Sequence, residues 1–80
     1  MYTVYAISSL KTNYVYIGHT NNLKRRLAEH NSGNTPSNKS YRPFRLVMSE
    51  EFRSRSEAIE KEKELKKSHN RDRLRSLAKD

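Results

Sequence analysis

Residues 14–33 read YVYIGHTNNLKRRLAEHNSG, and the change of period inside this stretch decides the fold. Tyr14-Val15-Tyr16-Ile17-Gly18 is aromatic and β-branched, the composition of a strand. From Thr20 or Asn21, either able to cap a helix, Leu23, Leu27 and Ala28 recur at helical spacing until Asn31-Ser32-Gly33 stops the pattern. A strand therefore feeds a helix of roughly three turns almost directly. Upstream, Tyr2, Val4 and Ala6 alternate with Thr3, Tyr5 and Ile7 over residues 2–9, and Leu10-Lys11-Thr12-Asn13 separates that run from the second one, which predicts a β-hairpin.

Downstream, residues 32–42 (SGNTPSNKSYR) are rich in Gly, Asn, Ser and Pro and run into Pro43, the composition of a surface loop. Phe44, Leu46 and Met48 then alternate with Arg45, Val47 and Ser49, predicting a third strand to about Phe52. Ser54 followed three residues later by Glu57 is a capping-box signature for a second helix reaching about Lys67. Asn70 is a candidate cap for a last helix whose apolar face is Leu74, Leu77 and Ala78. The expected fold is α/β of the α+β kind: a small three-stranded antiparallel sheet flanked by helices, in the order ββαβαα, forming one domain over residues 1–80.

Composition narrows the function. Eighty residues, 32% of them apolar, support one modest core and no interior able to swallow a large organic cofactor, so any chemistry sits near the surface. No apolar run approaches the ~18 residues of a membrane span, and MYTVYAISS has neither the basic start nor the long apolar stretch of a secretory signal. A soluble, cytoplasmic protein with no membrane partner is expected. The absence of Cys excludes disulfides, thiolate zinc sites and cysteine nucleophiles. With 17 Lys and Arg against 9 Asp and Glu, the net charge of +8 favours a polyanion, nucleic acid first, although a basic surface can also serve solubility alone.

Polar residues on apolar stripes are the next signal. Glu62 falls four residues after Ala58, three after Ile59 and three before Leu65, on the inward side of the second helix, while Glu57, Glu60 and Glu64 point elsewhere. A carboxylate there needs a cation or hydrogen bonds, and either a metal or a Lys or Arg would serve. Arg26 and His30, at i and i+4, flank the Leu23 and Leu27 stripe, a spacing equally suited to joint action or to ordinary amphipathic filling. Tyr5 and Tyr16 stand on paired strands, where sheet packing alone could account for them. Gly18 ends the second strand, at a bend or a place of close backbone approach.

In combination, Val4-Tyr5-Ala6, Tyr16-Ile17-Gly18, Arg26, His30 and Glu62 resemble the GIY-YIG endonuclease superfamily over nearly the whole chain. The blocks at residues 16–33, 41–47 and 57–66 look like those of its small stand-alone bacterial members, and are similar more distantly to the N-terminal nuclease module of the DNA-repair excinuclease. The first motif departs from the family's name, with Val4 and Ala6 around Tyr5. His19 stands where the excinuclease module has lysine, and Asn70 is the one candidate for the asparagine some members carry late in the domain.

The resemblance implies a metal-dependent endonuclease hydrolysing phosphodiester bonds in DNA, with RNA left open and a place in repair or recombination. It implies Tyr5, Tyr16, Arg26, His30 and Glu62 as catalytic residues. Glu62 would bind one Mg²⁺ or Mn²⁺, a hard cation that needs few protein oxygens. Arg26 would meet the scissile phosphate, and either Tyr5 or Tyr16 the attacking water. Gly18, His19, Lys24, Arg25, Lys39 and Arg42 are the expected substrate contacts, with Arg45 and Arg53 further out. Lacking an attached reading domain, such a chain is expected to cut selectively by structure or with weak specificity, as a monomer or weak dimer. The alternatives are a nucleic-acid-binding module with the nuclease fold and little activity, or a basic protein that docks on an acidic partner.

Overall fold

The computed structural model describes residues 1–36 and 38–79, with side chains described for all of these except 68, 69 and 77–79. Strand β1 (Tyr2–Ser9) and strand β2 (Val15–Thr20) form the hairpin, and strand β3 (Phe44–Phe52) pairs with the other side of β1. All pairings are antiparallel and the order is β2-β1-β3. Helices α1 (Leu23–Ser32), α2 (Arg55–Leu65) and α3 (Ser68–Lys79) and a 3₁₀ turn at Lys39–Tyr41 complete the ββαβαα order.

The central strand explains why helices lie on both faces. Residues 3–9 are all buried, and side chains alternate across a strand, so each face of β1 needs a cover. Val4, Ala6, Val15 and Ile17 pack against Ala58 and Leu65 of α2 and Leu74 of α3. Tyr5, Ile7 and Phe44 pack on the other face with Tyr14, Tyr16 and Tyr41 and with Leu23 and Leu27 of α1. Val4 and Ile7 are fully buried, one on each face, and burial of a side chain of that size is worth about 1.5–3 kcal/mol.

Several element ends differ from the sequence expectation. Helix α1 is capped by Asn22, whose side-chain oxygen accepts from the Arg25 N–H at 3.1 Å. Thr20 belongs to β2, and its hydroxyl accepts from the Asn22 N–H at 3.1 Å, so the first of three adjacent capping residues shapes the entry and the third caps. Helix α2 keeps the expected cap, Ser54 accepting from the Glu57 N–H at 3.2 Å, but ends at Leu65. Helix α3 starts at Ser68, and Asn70 is not its cap: the Asn70 side chain donates to the Glu64 carbonyl at 2.9 Å and clamps the α2–α3 turn. Leu74 is buried as its stripe requires, whereas the side chains of Leu77 and Ala78 lie outside the described residues.

The far end of α1 is anchored twice. Gly33 closes it in the left-handed region at φ 86°, the conformation glycine adopts without strain. Asn31 accepts from the Phe44 N–H at 2.7 Å and so ties α1 to the first residue of β3. Among the described residues no helix is long and apolar enough to cross a membrane.

Candidate active site

The hairpin register brings the two tyrosines together. Tyr5 is opposite Gly18 and Ile7 is opposite Tyr16, so Tyr16 is the diagonal neighbour of Tyr5 on the same face. Their ring centroids are 6.2 Å apart. A Cβ on Gly18 would meet Tyr16 Cε2 at 2.9 Å, the Tyr5 hydroxyl at 3.1 Å and the Tyr16 hydroxyl at 3.3 Å. Both phenol oxygens thus converge over the glycine, and the space its missing side chain leaves is theirs.

Helix α1 lays its Leu23 and Leu27 on this face and brings Arg26 and His30 with them. The sequence places His30 beside the leucine stripe; the structure buries it completely. Burial is tolerable because both ring nitrogens are partnered. Nε2 lies 2.9 Å from the Tyr5 hydroxyl, and Asn38 Nδ2 donates to Nδ1 at 3.4 Å. The imidazole also packs on Tyr16 at 5.0 Å and on Phe44 at 5.9 Å between ring centroids. Arg26 stays partly exposed, donates to Glu29 at 3.1 Å and interacts electrostatically with the phenols of Tyr5 and Tyr16. Burial works against its charge, but these interactions outweigh it and raise its pKa.

Proton affinities follow from this packing. Tyr5, 1% exposed, is pushed up to about 12, chiefly by burial; the Arg26 hydrogen bond and charge oppose the rise, while Tyr16 and Glu62 add to it. His30 is held below its ordinary value by burial and then by the Arg26 charge, with Asn38 and Glu29 opposing. At neutral pH the pair is a neutral phenol beside a neutral imidazole.

Asn38 is a functional candidate that sequence reasoning missed. It sits in the loop before the 3₁₀ turn, fully buried, and its Oδ1 has no partner among the described residues. Its amide is placed to set the His30 tautomer. With Nδ2 toward the ring, Nδ1 accepts and the proton resides on Nε2, aimed at Tyr5; a carboxylate at the same place would reverse this. Nothing in a run such as SNKSY separates that asparagine from ordinary loop composition.

Glu62 approaches from the other face. It projects from α2, and its partner is His19, which follows Gly18 on β2 and therefore points away from the tyrosines. His19 Nδ1 lies 2.7 Å from Glu62 Oε1, and Lys66 Nζ donates to Oε2 at 2.9 Å. Burial would raise the Glu62 pKa, but the hydrogen bonds from His19 and Lys66 outweigh it and lower it, so the carboxylate is ionised at neutral pH. Its negative charge is felt at Tyr5 on the opposite side of the hairpin. The structure brings Tyr5, Tyr16, Gly18, Arg26 and His30 into one packed cluster and sets Glu62 with His19 behind the C-terminal half of β2. Among the described residues no three His, Cys, Asp or Glu side chains gather as a metal site. Glu62 fits only a hard cation content with one carboxylate, its own waters and a phosphate oxygen.

The expected phosphate contacts divide into separate groups. Lys24 and Arg25 are exposed on the first turn of α1. Lys39 and Arg42 join Lys11 around a groove of about 310 Å³ beside the hairpin turn, whereas Tyr5 and Gly18 pair nearer the other end of β2. The Arg42 guanidinium also lies over Gly33 and donates to the Lys39 carbonyl at 3.4 Å.

A three-stranded α+β domain with a tyrosine, arginine and histidine cluster on one side of a hairpin and an ionised glutamate on the other has the make-up of a small nuclease domain. The GIY-YIG catalytic domain matches residues 1–75, and the chain belongs to that family. It is 38% identical over 72 residues to the UPF0213 protein SH2523 of Staphylococcus haemolyticus, covering 89% of this chain and 88% of that one. It is 40% identical over 53 residues to the UPF0213 protein NP_0776A of Natronomonas pharaonis, covering 65% and 62% of the two chains. Among solved structures, the solution NMR structure of the UPF0213 protein BH0048 from Bacillus halodurans is similar with a TM-score of 0.55 and 33% identity, over 96% of this chain and 85% of that one. The fold is thus that of a nuclease family whose members act on DNA.

Proposed function

We propose that the protein is a metal-dependent endonuclease that hydrolyses phosphodiester bonds in DNA, with structure-selective or weakly specific cutting, working in the cytoplasm. The observation that carries this reading is the Arg26 guanidinium, held partly exposed with its charge beside the two phenols that converge over Gly18. A fixed, planar cation at that point suits the charge that develops on a phosphorane. Tyr16 is only half-buried and is the tyrosine that meets the attacking water, receiving its proton as the phenol releases its own to solvent. Tyr5, 1% exposed and neutral, is a positioning residue: it fixes Arg26 and is itself fixed by His30. Glu62 would hold Mg²⁺ or Mn²⁺, with the exposed Lys66 contact giving way, since such exposed pairs are worth at most about 1 kcal/mol. A bound cation of this kind polarises phosphoryl oxygens and eases departure of the leaving oxygen.

The second reading is a DNA-binding module with little activity, favoured by one observation: both Glu62 oxygens are already engaged, by His19 and Lys66. Cleavage of single-stranded and branched DNA with Mg²⁺ or Mn²⁺, wild type beside Glu62→Ala, separates the two. Loss of metal-stimulated cutting with DNA affinity kept or slightly increased supports the enzyme; equal rates exclude the role of Glu62. No cutting by the wild type at DNA concentrations that saturate binding leaves the binding module.

A further inference from the structure

We infer that the groove between the free edge of β2 and the α2–α3 junction is a second phosphate subsite, which holds the nucleic-acid strand next to the bond that is cut. The inference rests on the nuclease reading and adds a binding surface to it. Strand β2 is an edge strand, and the residues Tyr14, Val15, Tyr16 and Ile17 form one wall of a groove of about 430 Å³. Lys66, Arg71 and Arg75 form the other wall. None of these cations stands out in the sequence: Arg71 and Arg75 fall in the last helix, which is marked there by its apolar face, and Lys66 falls at the end of the second.

Two residues make the groove continuous with the site. Tyr16 belongs both to the groove and to the cluster around Arg26, and Lys66 both to the groove and to Glu62. A strand whose phosphate lies at Arg26 can run past Tyr16 onto this cationic edge. Arg71 adds a planar guanidinium to this wall. Its Nε is buried and has no partner among the described residues. A phosphate oxygen suits the planar edge of a guanidinium. Arg75, one helical turn further along, faces the same side, and its exposed contact with Asp72 at 3.3 Å is a weak hold. An edge strand can also receive an extended peptide. Three cations on one wall and a tyrosine shared with the cluster favour a phosphodiester strand.

The test is fluorescence anisotropy of a labelled single-stranded oligonucleotide with EDTA present, titrated at several salt concentrations. The variants are Arg71→Gln with Arg75→Gln, and the charge-matched control Lys63→Gln with Lys67→Gln, two lysines that line a separate groove with Phe52 and Glu60. Melting curves verify that both doubles fold. The Arg71 and Arg75 double should bind at least about fivefold more weakly than the control and lower the salt slope by about 1.4, that is, about 0.7 for each single-strand phosphate that is no longer neutralised. If both doubles weaken binding equally, the subsite is refuted while the nuclease reading stands on its own cleavage assay. If the wild type neither binds nor cuts the oligonucleotide, both fall. An acidic peptide that binds through Arg71 and Arg75 when the oligonucleotide does not would make the groove a peptide site and overturn the proposal.

Discussion

His30 Nε2 and the Tyr5 hydroxyl, 25 residues apart in the chain, meet at 2.9 Å inside the packing of α1 on the sheet. Each satisfies the other in a place water does not reach. Removing one partner should therefore cost the full penalty of the other. Tyr5→Phe is expected to lower unfolding stability by about 1–3 kcal/mol, measured by urea denaturation, although its aromatic volume is retained. An unchanged midpoint would mean that the bond contributes nothing.

Two lowered pKa values fix how stability depends on pH. The folded His30 pKa lies below the ordinary 6.5, chiefly through burial, so the unfolded state binds more protons as pH falls through that value. The stability His30 contributes is complete above 6.5 and is lost below it. Glu62, also lowered in the folded state, keeps its contribution above its ordinary 4.5 and loses it as pH falls further. Two declines are expected in urea midpoints taken from pH 8 to pH 3, and His30→Gln should remove the upper one alone.

Gly18→Ala tests the seat of the tyrosines. The new methyl would lie 2.9 Å from Tyr16 Cε2, closer than real contacts allow, and 3.1 Å from the Tyr5 hydroxyl, a tight contact. The rings must shift, at a cost of about 1–3 kcal/mol for overpacking. NMR shifts of both tyrosine rings should move together, and cutting should fall. Ring signals that stay in place would show that the space over Gly18 is freer than the geometry indicates.

Much of the fold is legible in the residues, and the failures have physical reasons. Period alone marks β3 at Phe44–Phe52, and the Ser54 and Glu57 pair marks the start of α2. Asn22 is obscured as a cap because Thr20, Asn21 and Asn22 all have capping side chains, and only the end of the strand decides among them. Glu62 stands out on its stripe, but its partner His19 is 43 residues away and is found only by folding the hairpin under α2. Asn38 is hidden more deeply, since a loop asparagine carries no period at all.

That buried amide yields a spectroscopic prediction. Asn38 donates to His30 Nδ1 at 3.4 Å, which leaves the ring proton on Nε2. In Asn38→Asp the carboxylate can only accept, so the proton should move to Nδ1 and the His30 pKa should rise. Nitrogen-15 shifts of the imidazole report both changes. Asn38→Ala leaves Nδ1 unpartnered and should lower stability without reversing the tautomer. If the aspartate variant keeps the proton on Nε2, the amide does not control the ring.

Arg26→Lys separates charge from geometry. Lysine keeps the positive charge near the phosphate but lacks the planar fork that binds Glu29 beside the two phenols. Ground-state attraction to DNA is mostly charge and should change less than about threefold, read by anisotropy in EDTA. The developing phosphorane charge needs a fixed donor at a fixed place, and removing one such donor typically costs about 10²–10³ in rate. Turnover at saturating DNA should therefore fall by about that factor, while Arg26→Ala should lose rate and some affinity as well. A lysine variant that cuts at the wild-type rate would show that Arg26 acts as a bulk charge, and the fork over Gly18 would then be packing alone.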